Sequence, residues 1–132
     1  MSSRAFDSAK MFNDATSMAS GFTTAASPVV STNVVDLGTP DGDELNPPEV
    51  CVHIEGGVTV SNTGTAQVEL QDSLDGTTGF VTIQTGRVSA ANATDFNPYR
   101  MKVPPKHRRY ARLRYIIATN NFTAGTLHAG IV

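Results

Sequence analysis

Side chains able to do chemistry are few in this chain and scattered. The three histidines, His53, His107 and His128, fall in a strand, a basic loop and the final strand. None stands in the HxxxH or HxH spacing that sets two imidazoles on one metal, and His53 and His128 are expected to point outward from their strands. Cys51 is the only cysteine. No intrachain disulfide is possible, and a lone cysteine outside any CxxC spacing reads as a small buried hydrophobe. Carboxylates gather in two loops: Asp41, Asp43 and Glu44 in one, Asp72 and Asp75 in the other. Oxygen ligands clustered in loops are what calcium needs. Asp in a Gly-rich turn also accepts backbone hydrogen bonds, and that reading explains these residues without an ion. There is no G-x-S-x-G, no phosphate-binding loop and no G-x-G-x-x-G after a strand. No catalytic, cofactor-binding or metal-binding residue is assigned, and the chain is not expected to be an enzyme.

The strongest chemical signal is charge. Of ten Lys and Arg residues, seven lie between Arg100 and Arg114, whereas all twelve Asp and Glu precede residue 100. Residues 1–99 therefore carry a formal −9 and residues 100–132 carry +7, beneath a total of −2. Asymmetry of this kind shapes the field a protein presents to large partners. Tyr99, Tyr110 and Tyr115 interleave with the cations, as in many nucleic-acid binders. Alternation in a strand, however, places Tyr110, Arg112 and Arg114 on one face and Ala111, Leu113 and Tyr115 on the other. Three uses of that face stay open: pairing with the chain's own carboxylates, docking on an acidic protein surface, and binding phosphates. The net negative charge disfavours the last, because sequence-independent affinity for DNA comes from excess cations.

The elements that carry these residues are short strands. At 132 residues the chain suits one domain that folds without disulfides or metals. No apolar run approaches the length of a membrane span and nothing at the N-terminus reads as a secretion signal, so no membrane partner is expected. Residues 1–27 are rich in Ser, Ala and Thr, with Phe6, Met11, Phe12, Met18 and Phe22 as isolated apolar anchors. Asn13-Asp14 opposes a helix there, so the segment reads as an extended arm, either disordered or ordered by a neighbouring subunit. Such an arm buries little against its own domain, and its removal should leave the rest folded.

Residues 28–132 form the domain proper. Strands are predicted over Val29–Leu37, Val50–Ser61 with a bend or hairpin at Gly56-Gly57, Gln67–Gln71, Phe80–Gln84, Tyr110–Thr119 and Gly125–Val132. No helical period of useful length intervenes. Folding such strands into two packed sheets buries the apolar faces and protects part of the edges. The expected fold is an all-β antiparallel sandwich; its connectivity is not readable from periodicity.

Several segments then resemble a known family. Ser31-Thr32-Asn33-Val34-Val35-Asp36-Leu37-Gly38, Val68-Glu69-Leu70-Gln71, Arg109-Tyr110-Ala111-Arg112-Leu113-Arg114-Tyr115 and the closing Phe122 to Ala129-Gly130-Ile131-Val132 are similar to the capsid cement, or decoration, proteins of tailed phages of the Bbp16 type. Phe12-Asn13-Asp14-Ala15 matches the family's opening stretch. The chain departs from the family in its Ser/Ala-rich residues before Met11 and in its acidic loop at Pro47-Pro48. The resemblance implies a jelly-roll β-sandwich on the outer surface of a phage head, made in the cytoplasm of an infected bacterium. It further implies binding to the major capsid protein, bridging of capsomers, and a homo-oligomer, with no direct nucleic-acid contact and no cofactor. Phe6, Met11 and Phe12 of the arm, with Arg100, Lys102, Lys106, Arg108, Arg109, Arg112 and Arg114, are the residues expected at capsid or subunit contacts. The alternative class is a carbohydrate-binding β-sandwich module, for which a chain with no Trp and three Tyr has few aromatic platforms.

Overall fold

Period-two alternation becomes strand wherever an apolar side chain can reach one shared core. The computed structural model of the chain describes residues 10–38, 48–59, 62–90, 92–94, 97–118 and 120–132. Nine strands run in chain order: β1 (Met11–Ser17), β2 (Val29–Val30), β3 (Val35–Asp36), β4 (Glu49–Glu55), β5 (Thr65–Ser73), β6 (Val81–Ser89), β7 (Tyr99–Lys102), β8 (Tyr110–Ile116) and β9 (Thr126–Ile131). There is no α-helix among the described residues. The strands form two antiparallel sheets. The first has the order β1-β9-β4-β7; the second has β2-β8-β5-β6, with β3 also paired to β8.

Both sheets feed one hydrophobic cluster. Phe12, Val50, Val52, Ile54, Leu127 and Ala129 come from the first, while Val68, Leu70, Val88, Leu113 and Tyr115 come from the second. Tyr115 is fully buried, and its hydroxyl donates to Asn13 Oδ1 at 2.7 Å, joining β8 of one sheet to β1 of the other. Burial in this apolar surround pushes the Tyr115 phenol well above its ordinary range. A Cβ at Gly86 would collide with the Tyr99 ring and hydroxyl, so glycine on β6 leaves room for this side chain of β7 in the other sheet.

The N-terminal arm is corrected over the part that is described. Met11–Ser17 is a strand paired with β9, and Phe12, Met18 and Phe22 are at most 2% exposed. Phe22 packs edge-on against Tyr115 and Phe122, at 5.0 and 6.2 Å between ring centroids. The Ser/Ala/Thr composition misleads because a few large apolar side chains suffice: fully burying each is worth about 1.5 to 3 kcal/mol. The turn signal at Asn13-Asp14 survives as two register shifts in the β1–β9 pairing, with Ala15 in the left-handed region at φ 55°. Phe6 lies outside the described residues.

Other strands shift in extent. The predicted Val29–Leu37 strand is two short pieces on β8, and between them Ser31 keeps half of the ladder: its N–H donates to the Leu113 carbonyl at 2.7 Å, while its side chain replaces its carbonyl in the return bond. Its hydroxyl accepts from Leu113 N–H and donates to the Asn33 carbonyl, while Asn33 N–H donates across to the Phe12 carbonyl. The predicted Val50–Ser61 strand stops at Glu55, where Gly56 takes φ 67° and Val58 beyond it is 67% exposed. Tyr99–Lys102 was not anticipated: Pro98 before it and Pro104-Pro105 after it hide a four-residue strand paired to β4.

Candidate interaction surface

The basic run, continuous in sequence, is divided between the two sheets. Arg100 and Lys102 sit on β7 in the first sheet; Arg112 and Arg114 sit on β8 in the second; Lys106, Arg108 and Arg109 belong to the connection. Along β8 buried and half-buried residues alternate without a break, so Arg112 and Arg114 share the outward face as expected, with Ala111, Leu113 and Tyr115 inward.

Most of these arginines meet the chain's own acceptors. Arg114 contacts Glu69 Oε1 at 2.6 Å directly across from it on β5, and Gln67 donates to the other Glu69 oxygen. Arg112 donates to Gln71 Oε1 at 2.9 Å and lies 4.0 Å over the Phe80 ring, while Gln71 in turn donates to Thr82 on β6. Desolvation, followed by repulsion from Arg114, lowers the Arg112 pKa, although a guanidinium remains charged. Arg108 is bound by Asp72, which is only 2% exposed: its backbone N–H and Nε both donate to the carboxylate, at 2.8 and 3.0 Å. Its Nη2 also donates to the carbonyls of Asp72 and Gly79, pinning the β5–β6 connection. Arg109 grips Asp36 bidentately at 3.0 and 2.9 Å, and that pair holds the Asp36 carboxyl below its ordinary range. Arg100 pairs with Glu49 at 3.3 Å. Lys102 and Lys106 are exposed and carry no ion pair among the described residues.

Of the contact residues expected in the arm, Phe12 is wholly inside the core and Met11 is 5% exposed, so neither offers surface to a partner. Met11, Phe12 and Asn13 are buried in succession, so no period-two pattern marks the strand in the sequence. The acidic loop of Asp41, Asp43 and Glu44 lies outside the described residues. Asp75 behaves as the turn reading expected. Its Oδ1 accepts the N–H groups of Thr77 and Thr78, both at 2.9 Å, and these bonds, with Thr78 Oγ1 on Oδ2, hold its carboxyl far below the ordinary range. No group of three or more His, Cys, Asp or Glu suited to a metal occurs among the described residues.

The histidine expectation is corrected in part. His53 and His128 face each other across β4 and β9 with rings stacked 4.7 Å apart, and His128 Nε2 lies 3.1 Å from Glu55. His53, however, is only 4% exposed. A large cross-strand neighbour such as His128 can help bury a residue whose own strand pattern points it outward.

The Bbp16 family model matches residues 16–131, beginning inside β1 and ending on the last residue of β9. The chain belongs to the Bbp16 family. Among curated proteins none matches it. The Bbp16 match takes in both sheets and every arginine of the basic run.

What sequence reasoning missed is an edge. The strand β6 borders the second sheet over nine residues, and its burial falls off toward its start, where Val81 is 55% exposed. Leu74, in the connection just before it, is 73% exposed. Only the sheet order reveals β6 as a border, so no signal in the sequence marks it.

Proposed function

We propose that this Bbp16-family chain is a structural protein of a phage head that binds the outer surface of the capsid and bridges neighbouring capsomers. Its partners on this reading are the major capsid protein and further copies of itself; it carries out no reaction. Family membership across residues 16–131 is the observation that carries the reading.

The fold on this reading is a jelly roll. Supporting it is the strand order: with β2 and β3 taken as one interrupted strand, first, last, third and sixth strands share one sheet, and second, seventh, fourth and fifth share the other. That alternation is what winding two Greek keys around one core produces, and jelly rolls recur in viral capsid proteins. The carbohydrate-binding alternative gains little, because Phe80, Tyr99 and Tyr110 are half-buried and no aromatic ring among the described residues is fully exposed.

A shell-binding protein stabilises the assembled head by mass action, since it binds the intact lattice and not the dissociated one. Adding the protein to undecorated, expanded heads should raise their disruption temperature, and cryo-EM of virions should show it as outer density at capsomer junctions. Heads equally fragile with and without it, or virions lacking it, refute the proposal.

A further inference from the structure

The four borders of the two sheets are not equally guarded. In the first sheet β1 is bulged twice, and β7 has four residues, of which Arg100 and Lys102 are charged. In the second sheet β2 and β3 are two-residue pieces. Short length, bulges and charges are the devices that stop a sheet edge from accepting another strand. The strand β6 (Val-Thr-Ile-Gln-Thr-Gly-Arg-Val-Ser) has nine residues, one charge and no proline, and its single register shift, at Ile83 near its start, leaves Gln84–Ser89 in unbroken pairing with β5.

Three of its outward backbone groups, the N–H of Thr85, the carbonyl of Arg87 and the N–H of Ser89, meet side-chain amides instead. Asn92 Oδ1 accepts the Ser89 N–H at 2.7 Å, and Asn92 Nδ2 donates to the Arg87 carbonyl at 3.5 Å. One amide group thus meets a neighbouring N–H and C=O much as a paired strand's peptide would. Gln84 Oε1 likewise accepts the Thr85 N–H at 3.2 Å. Because alternate residues of an antiparallel strand turn their backbone groups the same way, Thr85, Arg87 and Ser89 face away from β5. Side-chain amides on flexible stems are exchangeable for a strand that brings its own peptide groups.

From this geometry we infer, resting on the capsid reading above, that β6 is the docking edge, and that it takes an extended segment of the shell subunit as an added strand. Main-chain pairing of this kind supplies affinity, and flanking side chains supply specificity. Arg87 is exposed and has no ion pair among the described residues, so it calls for a carboxylate on the incoming segment. Leu74 and Val81 offer exposed apolar contacts at the start of the strand, on a connection held rigid by Asp75 and Arg108.

Undecorated heads are the probe, titrated with full-length wild type, Thr85→Pro, Arg87→Glu and Leu74→Ser. Proline at residue 85 removes an N–H that points away from β5, which an edge strand tolerates. Thr85→Pro should melt close to wild type yet lose about tenfold or more in apparent affinity for heads. Arg87→Glu should lose several-fold. If Thr85→Pro fails to fold, Arg87→Glu and Leu74→Ser decide the matter, both being surface changes. Normal decoration by folded variants overturns the β6 edge while leaving the capsid reading intact. Heads that do not bind wild type overturn both. Light scattering that shows wild-type dimers abolished by Thr85→Pro would make the occupant a second copy, and would overturn the shell segment.

Discussion

The segments Met11–Phe22 and Arg100–Arg114 were both expected to reach outward, and the structure treats them in opposite ways. In the first, four of twelve residues are large and apolar, and these go inside: Met11, Phe12, Met18 and Phe22 are all at most 5% exposed. The second stays at the surface but turns sideways, toward Glu49, Asp36, Asp72 and Glu69. The difference teaches that average composition is a poor guide to burial. A polar segment with a few well-spaced large apolar residues gains more from the core than it loses in chain entropy, whereas a basic segment in an acidic chain finds its counter-charges at home.

The comparison breaks first at β1. Phe12→Ala should destabilise the domain by about 3 to 5 kcal/mol, the cost of emptying a closed aromatic site, measured by chemical denaturation. Deleting residues 1–27 should prevent cooperative unfolding altogether, since it removes a sheet strand as well. A truncated chain that melts like wild type would return this segment to the status of an arm.

The basic segment should respond pair by pair, according to burial. Asp72→Asn withdraws the charge from a nearly buried carboxylate that takes two Arg108 N–H bonds, and should cost about 2 kcal/mol. It should also loosen the β5–β6 connection, read as faster hydrogen exchange at Thr77 and Thr78. An unchanged midpoint would mean that Arg108 is held by the carbonyls of Asp72 and Gly79 alone.

The same connection predicts an acid response. The folded-state pKa of Asp75 is depressed, so its contribution is fully present above the unfolded value of about 3.9 and is lost as pH falls below it. Wild type should therefore lose thermal stability more steeply than Asp75→Asn below about pH 4. Parallel melting curves across that range would count against the Thr77 and Thr78 bonds as its source.

The smallest effect belongs to Asp36 and Arg109. Both side chains are about half exposed, and an exposed pair is screened by salt and water. Asp36→Asn should leave the melting temperature within error at 0.15 M salt, where the Debye length is about 8 Å. A clear loss there would mark the bidentate geometry as structural.

Much of the architecture was legible in the chain itself. The alternation in Tyr110–Tyr115, with arginines outward and Ala111, Leu113 and Tyr115 inward, follows from period two and holds along β8. The all-β class follows from the missing helical period, and the turn role of Asp75 follows from its Gly-rich surroundings. These are local properties, decided by residues within a few positions of one another. Tertiary structure decided everything that depends on which strand lies beside which. It sent Arg100 and Arg114 to different sheets, stacked His53 on His128, and gave Phe12 a core to enter. It also left β6 at a border. Strand order is set by closing one core around distant segments, and pairings such as Glu69 with Arg114 or Asn13 with Tyr115 join residues whose separation along the chain carries no local signal.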